Sequence, residues 1–421
     1  MIDALLEHFA FDARVVREAR AVAPVLARND GGVNAAVRAR VLAAFVAEGI
    51  AAGDLSGTFG YGYDDLARTR YESLLARVLG AERALARLSL VSGTHAMVAT
   101  LAACAPPGKQ LVVASGRPYD TLRNALVDAP NSLVERGLAY DEVELGSDGG
   151  IDHVALARAC AASPAAVFVQ RSRGYAPRRS LSVAECGAAI ATVKRVAPSA
   201  LVVVDNCYGE LVEAREPTEF GADLVVGSLI KNLGGTLAPG GAYVAGNAAA
   251  VARVADYHYA PGLGAALGPT LGFGRAFVQG LFLAPLVLAE TLAGLDFFAA
   301  LFARFGYAVD PAPGAARTDI VQAVRLGDPG RLVLFARGLQ RAMSLDARFE
   351  PEPGEVPGYR DPVVMSSGAF VAGSTLELSC DAPLRAPYEV YVQGGAVREH
   401  AVLGALFAAN ALAQEGRLCA D

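Results

Sequence analysis

The sequence predicts an α/β protein: a mostly parallel sheet with flanking helices, followed by a smaller C-terminal α+β domain. Two observations carry that expectation. Short Val-rich apolar runs bounded by Gly, Asp or Ser recur at 111–115 (LVVAS), 165–170 (AAVFVQ), 201–205 (LVVVD), 222–228 (ADLVVGS) and 241–246 (GAYVAG). Strands buried on both faces read this way, because neither face meets water. Between the runs lie stretches of helical spacing, which parallel strands need as crossovers.

Taken in order, residues 1–50 read as an N-terminal segment of two amphipathic helices, broken at Asn29-Asp30-Gly31-Gly32. Residues 54–64 (DLSGTFGYGYD) form a Gly- and Tyr-rich loop, and a helix is expected from Leu66 to Leu88. The alternating strands and helices then continue to about 290, giving a large domain over 51–290. A long apolar helical region over 270–304 leads into a small domain over 291–421. Its strands are expected at IVQAVRL, VVMSSG and STLELSC, and its closing helix at REHAVLGALFAANALAQ.

Composition narrows the function. With 421 residues, 53% hydrophobic and 19% charged, the chain can bury the cores of two or three domains and is not disordered. A net charge of −6 offers neither nucleic acid nor an anionic membrane an electrostatic footing. The first twenty residues are charged and helical in period, unlike a signal peptide. The longest apolar stretch, Ala276 to Ala289, contains Pro285 and falls short of the roughly 18 residues that span a bilayer. Six scattered cysteines without CxxC pairing read as reduced thiols of a cytoplasmic protein, and no His/Cys cluster has metal-ligand spacing. Of the histidines, His8, His153 and His400 are expected to be solvated, whereas His95 and His258 lie in segments that could approach a site.

Of 37 basic residues only Lys109, Lys194 and Lys231 are lysines. Lys109 belongs to a Pro-Pro-Gly-Lys turn and Lys194 to a helix end. Lys231 follows an apolar run and precedes a glycine-rich segment, where burial would disfavour the ammonium and leave a nucleophilic amine. Three other pieces precede it. Ser92, Gly93 and Thr94 open a helix, and their N–H groups could hold a phosphate, although Ser-Gly-Thr alone is an ordinary capping sequence. Tyr119 follows the strand LVVAS and could lay its ring over a cofactor or move a proton. Asp205 ends LVVVD, where a buried carboxylate is costly unless it meets a cation. A Walker B role is set aside because GxxxxGK[ST] is absent from the chain. With Ser228 as a further phosphate ligand, the ordered set Gly93, Tyr119, Asp205, Ser228 and Lys231 is what a pyridoxal-phosphate site on an α/β sheet requires. Lys231 would carry the Schiff base and Asp205 the ring nitrogen.

Through FGYGYDD, VSGTHA, QRSRGY, VVVDNCYGE, GADLVVGSLIKN, LAPGGAYVAG, PGYRDPVVM and VQGG, the chain resembles the methionine gamma-lyase-like family, often labelled aluminium-resistance proteins. This is a family within the Cys/Met-metabolism branch of fold-type-I pyridoxal-phosphate enzymes. The resemblance implies the fold-type-I architecture, with a seven-stranded sheet. It also implies a homodimer or homotetramer with active sites shared between subunits, residues 57–64 reaching the neighbour's phosphate. The broader branch has Tyr-x-Arg there. This chain has Tyr61-Gly62-Tyr63, so Tyr61 and Tyr63 become the cofactor contacts and Arg68 or Arg70 the replacement cations. Ile230 stands where the branch has a hydroxyl residue, and Glu377 where it has the arginine for the substrate carboxylate. Arg385, Arg173 and Arg171 are the candidates for that task, since a bidentate guanidinium suits a carboxylate. The reaction implied is β- or γ-elimination on a γ-substituted L-amino acid, releasing a thiol, alcohol or halide. Replacement, aldol cleavage and transamination use the same parts, and a non-catalytic cofactor-binding protein is the reading outside enzymes.

Overall fold

The computed structural model describes residues 1–27 and 32–420. The expected helix break at 29–32 therefore lies outside the described residues except for Gly32. The chain forms two compact units, Ala35–Ala284 and Met1–Asn34 with Pro285–Asp421.

The larger unit holds a seven-stranded sheet made of β1 (Arg83–Arg87), β2 (Gln110–Val113), β3 (Ala139–Glu142), β4 (Ala166–Gln170), β5 (Leu201–Asp205), β6 (Leu224–Ser228) and β7 (Ala242–Gly246). Their order is β1-β7-β6-β5-β4-β2-β3. The pairs β2–β3, β2–β4, β4–β5 and β5–β6 are parallel, whereas β7 is antiparallel to both β6 and β1. The reversal at β7 follows from the sequence. Between Ser228 and Ala242 the chain makes only a 3-10 turn, Asn232–Gly234, and without a crossover helix the next strand must run back. One face of the sheet packs Leu85, Leu111, Val113, Phe168, Val203, Val226 and Val244 against helices Gly93–Cys104 and Ala248–His258. Each such buried side chain contributes about 1.5–3 kcal/mol over an exposed one.

Two helix expectations are corrected. The helix expected to reach Leu88 ends at Val78, and RALAR is the edge strand β1. Gly80 stops the helix with φ of 62°, and Glu219 Cγ lies 2.8 Å from where its Cβ would be, so the chain must turn there. The apolar stretch Ala276 to Ala289 belongs to a single helix, Gly274–Arg304, which is 31 residues long with Pro285 inside. By length and composition alone it could cross a membrane, but 61% of its most apolar window is buried within the fold, as in a core helix.

The smaller unit carries an antiparallel sheet of β8 (Ala308–Asp310), β9 (Val321–Arg325), β10 (Val363–Ser367), β11 (Leu378–Pro383) and β12 (Glu389–Gly394), in the order β10-β11-β12-β9-β8. The strand expected at STLELSC starts only at Leu378. The N-terminal stretch Met1–Asn34 belongs to this unit instead of forming one segment with the chain that follows it. Phe9 and Phe11 meet Phe407 edge-on at 5.4 and 5.1 Å, and Asp12 N donates to Asn410 Oδ1 (2.8 Å).

Candidate active site

Every parallel strand of the larger sheet ends on the same side, and Tyr119, Arg171, Arg173, Asp205, Ser228 and Lys231 lie at or just after those ends. Asp205 closes β5 and is 4% exposed. Its Oδ1 accepts from Cys207 N (3.0 Å), and no described residue forms an ion pair with it. Burial pushes its pKa up, with Lys231 and Arg178 opposing. A buried carboxylate lacking a paired cation fits a protonated ring nitrogen, the partner such a site needs.

Ser92 caps helix Gly93–Cys104 by accepting from His95 N (3.1 Å). The first-turn N–H groups of Gly93 and Thr94 have no role inside the helix, which leaves them for an anion. Ser228, buried at the end of β6, converges on the same place. A Cβ on Gly93 would stand 3.4 Å from Ser228 Cβ and 3.5 Å from Cys207 Sγ. Tyr119 N donates to Gln170 Oε1 (3.0 Å), and its hydroxyl lies 3.4 Å from Thr94 Oγ1. Burial, then Asp205 and Cys207, raise its pKa well above the usual tyrosine value, so it holds its proton at neutral pH.

Lys231 places Nζ 3.7 Å from the centroid of the Tyr208 ring. The expectation that its surroundings disfavour the ammonium is corrected. Burial does pull its pKa down, but Cys207, Tyr208, Asp205 and Tyr119 outweigh it and leave it raised. Polar neighbours outweigh the lost hydration here.

Tyr208 and Tyr175 carry no role in the sequence reading. Both adopt left-handed backbone, with φ of 69° and 59°, and their hydroxyls lie 2.7 Å apart. Tyr208 meets Lys231 Nζ, and the hydroxyl contact brings Tyr175 beside it. The signal is present as two tyrosines, in DNCYGE and QRSRGY, but nothing in one sequence brings them together. Arg178 is likewise absent from that reading. It pins the loops after β2 and β4 by donating to the carbonyls of Arg173 (3.1 Å), Ser172 (3.0 Å) and Ser115. Its pKa falls to about 10 through burial and the adjacent Arg173.

The arginine candidates separate. Arg171 is fully buried and donates to Asn206 Oδ1 (2.7 Å), Gly209 O (2.9 Å) and the Glu213 carboxylate. Its guanidinium is committed to these acceptors, so Arg171 does not fit the substrate-carboxylate task expected of it. Arg173 is buried beside Arg178 in the larger unit. Arg385 lies in the smaller unit with Nη1 3.2 Å from Asp361 Oδ2. Glu377 there is buried, with Oε2 accepting from Phe370 N (2.6 Å).

Tyr61 and Tyr63 are 75% and 57% exposed on the loop 57–64, with Phe59 beside them. The loop itself is firmly held. Buried Asp65 accepts from Thr58 N and Oγ1 and from Thr270 N and Oγ1, all at 2.8–2.9 Å. The expected replacement cations are occupied elsewhere. Arg68 Nη1 donates to Gly62 O (2.6 Å) and Gly268 O (3.0 Å), and Arg70 pairs with Asp54 at 3.4 Å. His153 and His400, expected to be solvated, bond Thr192 Oγ1 (3.0 Å) and Ala342 O (2.8 Å). His258 bonds Ser89 Oγ at 2.9 Å and stacks edge-on with His95 at 5.5 Å; burial, then His95 and Arg87, lower its pKa to about 4.

Fold and site together define a class. The sheet order is that of fold-type-I pyridoxal-phosphate enzymes. At the level of fold, the chain superposes on the pyridoxal-5'-phosphate dependent protein YhfS from Escherichia coli with a TM-score of 0.60 and 20% identity, covering 90% of this chain and 95% of that one. Within the class the chain belongs to the methionine gamma-lyase family, whose model matches residues 15–413. It is 39% identical over 360 residues to the uncharacterized protein YnbB of Bacillus subtilis (strain 168), covering 85% of this chain and 86% of that protein. It is also similar to a carbon-sulfur lyase involved in aluminium resistance from Clostridium novyi NT, at 35% identity and a TM-score of 0.91. That match covers 96% of this chain and 97% of the other. The family is one of pyridoxal-phosphate-dependent carbon–sulfur lyases.

Proposed function

We propose that this chain is a pyridoxal-phosphate-dependent lyase that eliminates a thiol from a γ-substituted L-amino acid, with the cofactor carried on Lys231. The observation that supports this most is the Asp205 carboxylate, buried without an ion-pair partner, beside Lys231 and Tyr119. When bound, the cofactor supplies an electron sink for negative charge at the substrate Cα. Ser92, Gly93, Thr94 and Ser228 hold its phosphate, and Asp205 keeps a proton on its ring nitrogen. The freed Lys231 amine would take the Cα proton and then a Cβ proton, so that a Cβ–Cγ double bond forms as the Cγ–S bond breaks with its electron pair leaving on sulfur. Tyr119, a phenol that keeps its proton, donates it to the departing sulfur. Arg173 or Arg385 is the candidate for the substrate carboxylate. The Tyr208 ring restrains Nζ between these tasks.

The protein acts as a cytoplasmic homodimer or homotetramer in which Tyr61 and Tyr63 complete the neighbour's phosphate site. Support for this comes from a loop that is rigidly clamped at its base yet exposes three aromatic rings at its tip. The test of function is incubation of the cofactor-loaded protein with methionine, cystathionine and O-substituted homoserines. Free thiol is read with a thiol reagent, and 2-oxo acid with a coupled dehydrogenase. Thiol and 2-oxo acid in equal amounts from methionine and cystathionine, and 2-oxo acid without thiol from the homoserines, all absent with Lys231→Ala, are expected. Tight cofactor binding with neither product from any substrate would show a binding protein without catalysis.

A further inference from the structure

Among the described residues no hydrogen bond or ion pair reaches Lys231 Nζ, which instead stands 3.7 Å from the centroid of the Tyr208 ring. The face of an aromatic ring is negative and attracts an ammonium, whereas a neutral amine gains little from it. Asn232, the residue after Lys231, donates from Nδ2 to Tyr208 O (2.9 Å). The backbones that carry the ring and the lysine are thereby tied to each other.

The far end of the ring is held from a different loop. Tyr208 OH lies 2.7 Å from Tyr175 OH. Tyr175 follows Gly174, where a Cβ would stand 3.0 Å from Tyr119 Cβ and would run into Gln170 Nε2, so this loop packs directly on Tyr119. Gln170 accepts from Tyr119 N (3.0 Å) and donates to Ser172 O (2.9 Å). Arg178 fixes the same loop through the carbonyls of Ser172 and Arg173. The two phenols therefore join the loop that packs on Tyr119 to the loop that faces Lys231. A hydrogen bond at the tip of a phenol removes the swing of its ring about Cα–Cβ, and so fixes where the face lies.

We propose that the Tyr208 ring stabilises the positive charge that Lys231 acquires on taking a proton from the substrate, and that Tyr175 is the positioning residue that keeps the ring in place. This rests on Lys231 being the acting base. In that step the Cα–H bond breaks, its electron pair stays with the substrate, and an N–H bond forms on Nζ, so a neutral amine becomes an ammonium. The ring face favours the ammonium over the amine, so it is complementary to the charge that develops during the transfer. Cys207, Asp205 and Tyr119 also favour the ammonium, but Tyr208 is the group that lies against Nζ itself.

The test compares wild type with Tyr208→Leu, Tyr208→Phe, Tyr175→Phe and the double Phe variant. In the full chain freed of cofactor, acetylation of Lys231 by acetic anhydride is followed against pH up to its plateau by peptide mapping, with Lys109 as internal reference. The plateau reports access to the amine, and the midpoint reports its charge. In the holoenzyme, exchange of the substrate α-proton is followed in deuterated water. Tyr208→Leu should raise acetylation below the midpoint about three- to tenfold relative to the plateau, and slow exchange by a similar factor. Each Phe variant keeps the face but frees the ring, so each should move both quantities the same way by about twofold. The double variant should do no more than either alone, because both substitutions break one bond. An unmoved midpoint in Tyr208→Leu, with normal exchange, overturns this proposal alone. Additive effects of the two Phe substitutions overturn the positioning role of Tyr175. A wild-type holoenzyme that exchanges no α-proton overturns Lys231 as the base, and the proposal with it.

Discussion

Asp205, Lys231 and the Ser92–Thr94 turn are legible in the sequence because each breaks a local rule. A charge ends an apolar strand, a lysine appears where the chain otherwise uses arginine, and glycine opens a helix. The arginines break no such rule. Arg171 and Arg173 sit two positions apart in an irregular segment, and only the fold sends one of them into the Asn206–Gly209–Glu213 acceptors. Arg171→Ala should therefore cost about 3–5 kcal/mol of stability, measured by denaturant unfolding, since it strands Glu213 and two buried acceptors. Arg173→Ala should instead raise KM. If Arg171→Ala unfolded like wild type, the structural role given to it would be wrong. Asp205→Asn tests the ring contact. The amide still accepts from Cys207 N, so the cofactor should be retained, while α-proton exchange in deuterated water should slow roughly a hundred- to thousand-fold, about 3–4 kcal/mol of transition-state stabilisation. Unchanged exchange would remove Asp205 from the ring.

At the scale of elements, the central strands declare themselves because burial on both faces demands unbroken apolar runs. The edge strand β1 does not: RALAR carries arginines at both ends, and a window of sequence joins it to the helix before it. Its identity comes from pairing with β7, where Arg83 faces Gly246 and Arg87 faces Ala242, a partner far along the chain. The loop 57–64 is legible as a loop, but not its anchor. Burial tends to raise the Asp65 pKa, yet bonds from Arg68 N, Thr270 and Thr58 win and hold it below 3.8. The folded value being the lower one, this contribution is present above pH 3.8 and lost as pH falls through the folded value. Asp65→Ala, which leaves buried donors unpaired, should lower stability by about 3 kcal/mol and weaken cofactor retention, and it should also blunt acid unfolding below pH 4. Wild-type thermal stability and cofactor affinity in that variant would contradict the clamp.

On the scale of the whole molecule, the N-terminal stretch Met1–Asn34 joins the C-terminal unit through the Phe9–Phe11–Phe407 cluster, a contact across nearly the full length of the chain that helical periodicity cannot reveal. Assembly belongs to this scale too. If Tyr61 and Tyr63 serve a neighbouring subunit, Lys231→Ala and a Tyr61→Ala, Tyr63→Ala double variant should each be inactive alone. Mixed oligomers of the two should recover part of the activity, and a monomer with normal cofactor affinity would rule out sharing. The central claim is that Lys231 carries the cofactor. Borohydride reduction of the cofactor-loaded protein followed by peptide mapping tests it most directly, since only Lys109 and Lys194 compete among side chains. The account predicts reduced pyridoxyl label on the peptide containing Lys231 and none on the other two. Label on Lys109 or Lys194, or a Lys231→Ala protein that still becomes labelled, would contradict it.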